Sequence, residues 1–291
     1  MFFGKVFISA VVLAVVLWKV DILETVAALS SLNITHLITA TIFYIIAHCL
    51  NGLKLHLLMP DRPLFDLIKY TFIALLYGTI LPGQILGDAI KAYKLVRPND
   101  DGAKVIAAVV LDKIIGLISL IFITLIALLL DTKNFPDIFG LLAFCALVFF
   151  LMIVLLPFFL KSMPPLLDTS LGRFLRAWRE YSDNYIGLFV AFLTGIAFQI
   201  ISVSVIAVLG AALGVSISFI SWVAVVGLMS FALLVPLSFA GLGIRESGLI
   251  VFLGFLGVAN TDALALSFLV FSYTLLGASI GWFFDIKERP T

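Results

Sequence analysis

The chain alternates long apolar runs with two that are broken by proline, glycine and charge, and that contrast restricts the fold. Uninterrupted runs fall near residues 2–20, 35–59, 103–130, 138–160, 186–212 and 262–285. Each is close to the length, about twenty residues, that a helix needs to cross hydrocarbon. The broken stretches read Tyr77-Gly-Thr-Ile-Leu-Pro82-Gly83-Gln-Ile-Leu-Gly87-Asp88-Ala-Ile-Lys91 and Leu234-Val-Pro236-Leu-Ser-Phe-Ala-Gly241-Leu-Gly243-Ile-Arg245-Glu246. With 63% hydrophobic and 12% charged residues, the chain carries more apolar surface than a soluble fold buries. Backbone groups in lipid must be paired within the spanning segment, and the runs lack the alternation of barrel strands, so they form helices. The fold class is an all-α polytopic membrane protein.

The broken regions, 66–97 and 218–257, read as re-entrant or broken helical hairpins. Only about eleven apolar residues separate Tyr70 from Pro82, too few to cross the bilayer as a helix. The excess of Lys and Arg in loops sets the orientation. With the N-terminus in the cytoplasm, fourteen fall inside, Lys54, Arg62, Lys69, Lys91, Lys94 and Arg97 among them, against Lys19 and Lys133 outside. Both termini are then cytoplasmic and the location is the cell membrane. The spans at 35 and 186, the prolines at 82 and 236 and the spans at 103 and 262 stand 151, 154 and 159 positions apart. One duplicated unit in opposite orientations, an inverted-topology repeat, accounts for those offsets. The expected organisation is a first membrane half at 1–161 (repeat unit 35–130), a cytoplasmic amphipathic connector at 162–185 and a second half at 186–291. In the connector Leu171, Phe174, Leu175 and Trp178 recur at helical spacing with Arg173, Arg176 and Arg179 elsewhere on the wheel. It reads either as a helix on the inner headgroup layer or as a charged connector.

Charges at membrane depth are expensive, so each asks for a partner or a purpose. Asp112 and Lys113 lie about ten residues into their run; Asp88 and Lys91 follow the first break, Arg245 and Glu246 the second. Because neighbours on a helix point apart, the expected pairs cross between halves: Asp112 with Arg245 and Glu246 with Lys113. Pro82 and Pro236 end half-helices, while Gly83, Gly87, Gly241 and Gly243 permit tight turns and close approach. The helices that begin near Gly87 and Gly243 direct unpaired N–H groups at the break, where anions bind, and Lys91 and Arg245 stand beside them. A phosphate group suits that setting. Cys49 and Cys145 lie within apolar runs and read as small buried side chains, and His36, His48 and His56 lack metal-ligand spacing. No catalytic or metal site and no cofactor is expected, and the charges, confined to loops and breaks, do not form a nucleic-acid surface.

Leu81-Pro82-Gly83 with Gly87-Asp88, then Val110-Leu-Asp112-Lys113-Ile-Ile-Gly116-Leu117, then Pro236-Leu-Ser-Phe-Ala-Gly241-Leu-Gly243-Ile-Arg245-Glu246, resembles the transmembrane domain of lysylphosphatidylglycerol synthases and their free-standing flippase-like relatives. The likeness covers nearly the whole chain. It departs at Leu86-Gly87-Asp88, where the family has Gly-Gly-Asp, and at Asp112-Lys113, where it has Asp-Arg. Lysine lacks the guanidinium fork that grips phosphate with two bonds. The synthases carry a soluble aminoacyl-transfer domain after the membrane part, whereas this chain ends six residues past its last run, so the resemblance implies the lipid-translocating part and no enzyme. Three functions stay open: a flippase-like transporter of an anionic, aminoacylated or glycosylated lipid, polyprenyl-phosphate-linked sugars included; a non-catalytic subunit presenting lipid to a separate transferase; and a secondary transporter for a small anion. The expected partners are a lipid with a phosphate-containing headgroup, a second copy of the chain and a lipid-modifying transferase.

The orientation is open to direct measurement. In a background without Cys49 and Cys145, single cysteines at positions 133 and 214 are expected to react with a membrane-impermeant reagent in intact cells, and those at 100 and 170 to stay unlabelled. External labelling at 170 would overturn the inverted arrangement.

Overall fold

The computed structural model describes residues 32–81, 84–98, 100–159, 170–234 and 243–288, together with Thr25 and Leu29. The run at 2–20 lies outside the described residues, as do Pro82, Gly83, Pro236 and Gly241. Among the described residues there are ten α-helices and no strand: α1 (Ile34–Leu58), α2 (Leu64–Ile80), α3 (Gln84–Leu95), α4 (Gly102–Leu130), α5 (Asp137–Phe159), α6 (Ser170–Asp183), α7 (Tyr185–Ala212), α8 (Phe219–Leu234), α9 (Ile244–Gly254) and α10 (Asn260–Glu288). Five of them, α1, α4, α5, α7 and α10, are long and apolar enough to cross a membrane. Their bounds fall within three residues of the apolar runs. This is a multi-pass helical membrane protein.

Polar side chains start three of these helices. The carboxamide of Asn33 accepts from the N–H of Thr35 at 2.9 Å, the carboxylate of Asp101 from Ala103 at 3.0 Å and the carboxamide of Asn184 from Gly187 at 3.0 Å. Each satisfies an N–H that the first turn leaves unpaired.

Helices α2, α3, α8 and α9 have 17, 12, 16 and 11 residues. At 1.5 Å per residue even the longest measures about 25 Å, short of the roughly 30 Å of hydrocarbon. They pack as two antiparallel pairs, α2 on α3 and α8 on α9, and the pairs open at opposite ends of the bundle. Both open ends of α2–α3 meet the end of α10, where Lys69 lies 2.7 Å from Glu288 and Lys94 lies 2.8 Å from Asp285. Arg97 closes the two legs on each other through Asp66 at 3.1 Å. By contrast, α8 begins beside the end of α4, where Ser221 donates to Asp131 at 2.6 Å, and α9 finishes against the start of α5 through Phe255 and Phe139.

The central pair is α1 and α7, the most extensive helix contact. Helix α2 lies on α10, and α8 on α4. One apolar cluster, including Val203, Leu209, Trp222, Met229, Leu249 and Leu266, fills the α8–α9 end, and a second, including Leu55, Leu67, Leu111, Ile115, Trp178 and Ala191, fills the α2–α3 end. Helix α6 turns Trp178 into that second cluster, buries Ala177 and leaves Arg173, Arg176 and Arg179 exposed, while Phe174 and Leu175 stay half-buried.

Small residues let the helices approach. A Cβ at Gly281 would collide with the carbonyl of Phe72 on α2, and one at Gly227 with the side chain of Thr124 on α4. Backbone cannot yield as a flexible side chain can. Gly281→Ala is expected to destabilise the protein by about 1–3 kcal/mol, the usual cost of overpacking, read as a lower unfolding temperature in detergent. Gly140→Ala meets nothing within 4 Å and is expected to leave the transition where it is.

Candidate functional site

Five charged side chains from α1, α3 and α4 form one connected chain. Asp112 divides its carboxylate between two lysines on different helices: Oδ1 lies 3.2 Å from Lys54 Nζ, and Oδ2 lies 3.3 Å from Lys91 Nζ. Lys91 also reaches Asp88 at 3.2 Å, and Asp88 reaches Lys113 at 3.1 Å. Side-chain exposure rises along the chain, from 3% at Lys54 and 4% at Asp112 and Lys91 to 21% at Asp88 and 40% at Lys113. The charges thus run from the bundle interior to its flank. Each lysine has an aspartate partner, and among the described residues the group holds three lysines against two aspartates.

Local geometry explains the arrangement. Asp112 and Lys113, adjacent on α4, point apart: one turns inward to Lys54, the other out towards α3. Lys54 lies over Gly116, where a Cβ would sit 2.9 Å from Nζ, and its stem passes Gly195 on α7. Ser119, one turn beyond Gly116, donates to the carbonyl of Phe192 at 3.2 Å, and Gln199 donates to that of Gly116 at 3.1 Å. These bonds hold α7 against α4 and frame the slot for Lys54. Gly87 brings α3 onto α2, for a Cβ there would collide with the carbonyl of Ala74.

A second cluster stands at the start of α9. Gly243 has φ 85°, which favours glycine, and its N–H donates to Glu246 Oε2 at 2.5 Å. The other oxygen of Glu246 accepts from Arg245 Nη2 at 2.7 Å and from Ser267 Oγ at 2.9 Å, while Arg245 Nε donates to Ser267 Oγ at 3.0 Å. The guanidinium lies 4.9 Å from the ring centre of Phe271. Arg245 is 4% exposed and Glu246 fully buried, and the pair is neutral.

The sequence-derived residues are therefore gathered in two groups, Gly87, Asp88, Lys91, Asp112 and Lys113 in one and Gly243, Arg245 and Glu246 in the other. Among the described residues no ion pair joins Asp112 to Arg245 or Glu246 to Lys113. The expected cross-pairing is corrected: Asp112 and Lys113 on α4 lie against Lys91 and Asp88 on α3, while Arg245 lies against its neighbour Glu246. Neighbours Arg245 and Glu246 pair because Glu246 folds back onto the Gly243 N–H, which brings its carboxylate within reach of the long arginine. Lys54 is the residue that sequence reading assigns to a cytoplasmic loop, whereas the structure buries it in the chain; Lys91 is likewise buried rather than a loop charge. The signal was its place inside an apolar run, four residues before the end of α1. His48 packs among Tyr44, Phe72 and Phe198. Among the described residues no cluster of three His, Cys, Asp or Glu forms a metal site.

A cavity of about 540 Å³ opens at the α2–α3 end, lined by Arg62, Arg97, Asp100, Lys104, Glu180 and Tyr181 among others. Its cations are already paired: Arg62 with Asp100, Arg97 with Asp66 and Lys104 with Glu180. The backbone N–H of Arg97, with Arg62 beside it, holds the Asp100 carboxyl below the usual carboxylate range. The excess of lysine over aspartate among the described residues lies instead with Lys54, Lys91 and Lys113.

Removing one partner of a buried pair strands the other, at a cost of about 3–5 kcal/mol. Arg245→Ala is expected to lower stability by that amount, while Arg173→Ala on exposed α6 stays within about 0.5 kcal/mol. In a double-mutant cycle, thermal unfolding is expected to give a large coupling for Arg245 with Glu246 and none for Asp112 with Arg245. The opposite ranking would reinstate the cross-pairing.

The family profile described as the lysylphosphatidylglycerol synthase TM region matches residues 2–281. No curated protein matches the chain. With nearly every residue of the bundle and both charged clusters inside that match, the chain belongs to the family of the lysylphosphatidylglycerol synthase transmembrane region.

Proposed function

We propose that the protein is a flippase-like transporter that carries a lipid with an anionic headgroup between the leaflets of the cell membrane. The observation that carries this reading is the net-positive chain of charges from Lys54 to Lys113. Three lysines that share two aspartates among the described residues favour a further anion, and a phosphodiester carries one negative charge. The chain surfaces on the flank of the bundle at Lys113, two turns along the same face of α4 from exposed Ile106. A headgroup entering there keeps its acyl chains among the apolar side chains of that flank, which favours a lipid over a small soluble anion. The family assignment supports a lipid-related role, and aminoacyl transfer, where it occurs, belongs to a separate domain or a partner transferase.

Alternating access requires two halves that rock around the site, and the contacts support an inverted repeat. Gly52 on Ile68 matches Gly210 on Trp222, Ser119 on Gly195 matches Gly277 on Tyr44, and Thr124 on Gly227 matches Gly281 on Phe72. Matching residues stand 151 to 158 positions apart, close to the offsets of the apolar runs. With both termini in the cytoplasm, α2–α3 is a re-entrant hairpin from the inner side and α8–α9 one from the outer side.

The test is translocation of fluorescent phosphatidylglycerol in proteoliposomes, read by quenching of the outer leaflet. Wild-type protein is expected to move it and to leave a labelled phosphatidylcholine behind. Lys91→Gln keeps Asp112 paired with Lys54 and is expected to lose transport, whereas Lys133→Gln, in an exposed loop, retains it. Equal rates for Lys91→Gln and wild type would overturn the assignment, and co-purification of a transferase with no translocation would favour the subunit reading.

A further inference from the structure

We propose that Asp112 is a built-in counter-anion, holding between Lys54 and Lys91 the place that a phosphate group occupies when the site is loaded. The identity of the ligand as a lipid rests on the transport reading above; the placement of the anion rests on the geometry alone.

A carboxylate bridging two ammonium groups on separate helices presents its oxygens as a phosphate presents two of its own. Lys54 and Lys91 approach different oxygens, at 3.2 and 3.3 Å, from α1 and α3. Little else holds the carboxylate. Among the described residues Oδ1 meets only the Lys54 ammonium, and Oδ2 has the one bond from Lys91. Compare Glu246, whose carboxylate accepts bonds from a backbone N–H, a guanidinium and a hydroxyl. That carboxylate is locked, whereas Asp112 is held by two lysine ammonium groups and gives them up to a stronger anion.

An empty site needs such a group, because two buried lysines facing each other without an anion would repel and be stranded from water. A loaded site does not. An arriving phosphate meets Lys113 first, at the exposed end of the chain, then competes with Asp88 and Asp112 for Lys91 and finally for Lys54. Asp112 therefore lowers affinity and provides the means of release, since it recaptures both lysines as the phosphate leaves. Lys54, fixed over Gly116 and Gly195, is the deepest ligand.

Removing the place-holder gives the test. Asp112→Ala leaves an anion-sized gap between two lysines, which added phosphate should fill. In detergent at constant ionic strength, set with chloride, inorganic phosphate is expected to raise the unfolding temperature of Asp112→Ala at a concentration about tenfold or more below that which affects wild type. That ratio corresponds to the loss of one charge-assisted competitor. Lys54→Met/Asp112→Ala, lacking one of the two arms, is expected to lose the response. If Asp112→Ala folds only when phosphate is present and fails on its removal, the proposal is supported in stronger form. An equal response of wild type and Asp112→Ala, or a variant that no phosphate recovers, overturns it. Dioctanoyl phosphatidylglycerol in place of phosphate separates the two sources. Action at lower concentration than inorganic phosphate assigns the place to a lipid headgroup; the reverse order leaves the place-holder standing and removes the lipid reading.

Discussion

One carboxylate ties three helices together. Asp112 on α4 faces Lys54 on α1 and Lys91 on α3, and all three side chains are buried, so the helices can separate only by stranding a charge. The neighbouring packing follows from that demand. Gly116 and Gly195 clear a slot for the Lys54 stem, Gln199 and Ser119 fasten α7 to α4 beside it, and Gly87 lets α3 come close enough to α2 to place Lys91. Apolar burial fills the rest, but in lipid it sets no register, since neighbouring helices gain little by exchanging lipid tails for one another.

The two halves use this constraint differently. At the start of α9 the buried charges are neutral, and Glu246 has its hydrogen bonds supplied by Gly243, Arg245 and Ser267. That cluster is built to stay. In the α3 half the charges are three lysines and two aspartates in a row, with exposure rising toward the flank. An arginine fork with fixed partners gives rigidity, while lysines on flexible stems give a site whose partners can change.

The ends of the bundle differ as well. Lys69, Lys94, Asp285 and Glu288 clasp both legs of α2–α3 to the end of α10, and Arg97 with Asp66 closes them further. At the other end α8 is fastened to α4 by Ser221 and Asp131, and the rest of that contact is apolar. Ion pairs near water are weak singly and matter as networks, so the clasp holds α2 and α3 to α10 through several pairs together.

Membrane class, the five long helices, the four short ones and most of the charged residues of both clusters were legible in the sequence, because each follows from a local property. Hydrocarbon thickness dictates run length, proline and glycine interrupt helices, and a charge inside an apolar run betrays a site. Which charge meets which was not legible. The pairing of Asp112 with Lys54 and Lys91, rather than with Arg245, depends on which helix faces which across the bundle. The pairing of Arg245 with its neighbour depends on Glu246 turning back to the Gly243 N–H, against the rule that adjacent helical residues point apart. Lys54 was hidden for the same reason: near the end of an apolar run it reads as a loop charge, and only the contact of α1 with α4 and α7 buries it. Period, length and composition act along the chain, so the sequence by itself determined the helices and their order. Burial and charge partnership act between segments far apart in it, so only the tertiary structure decided the site.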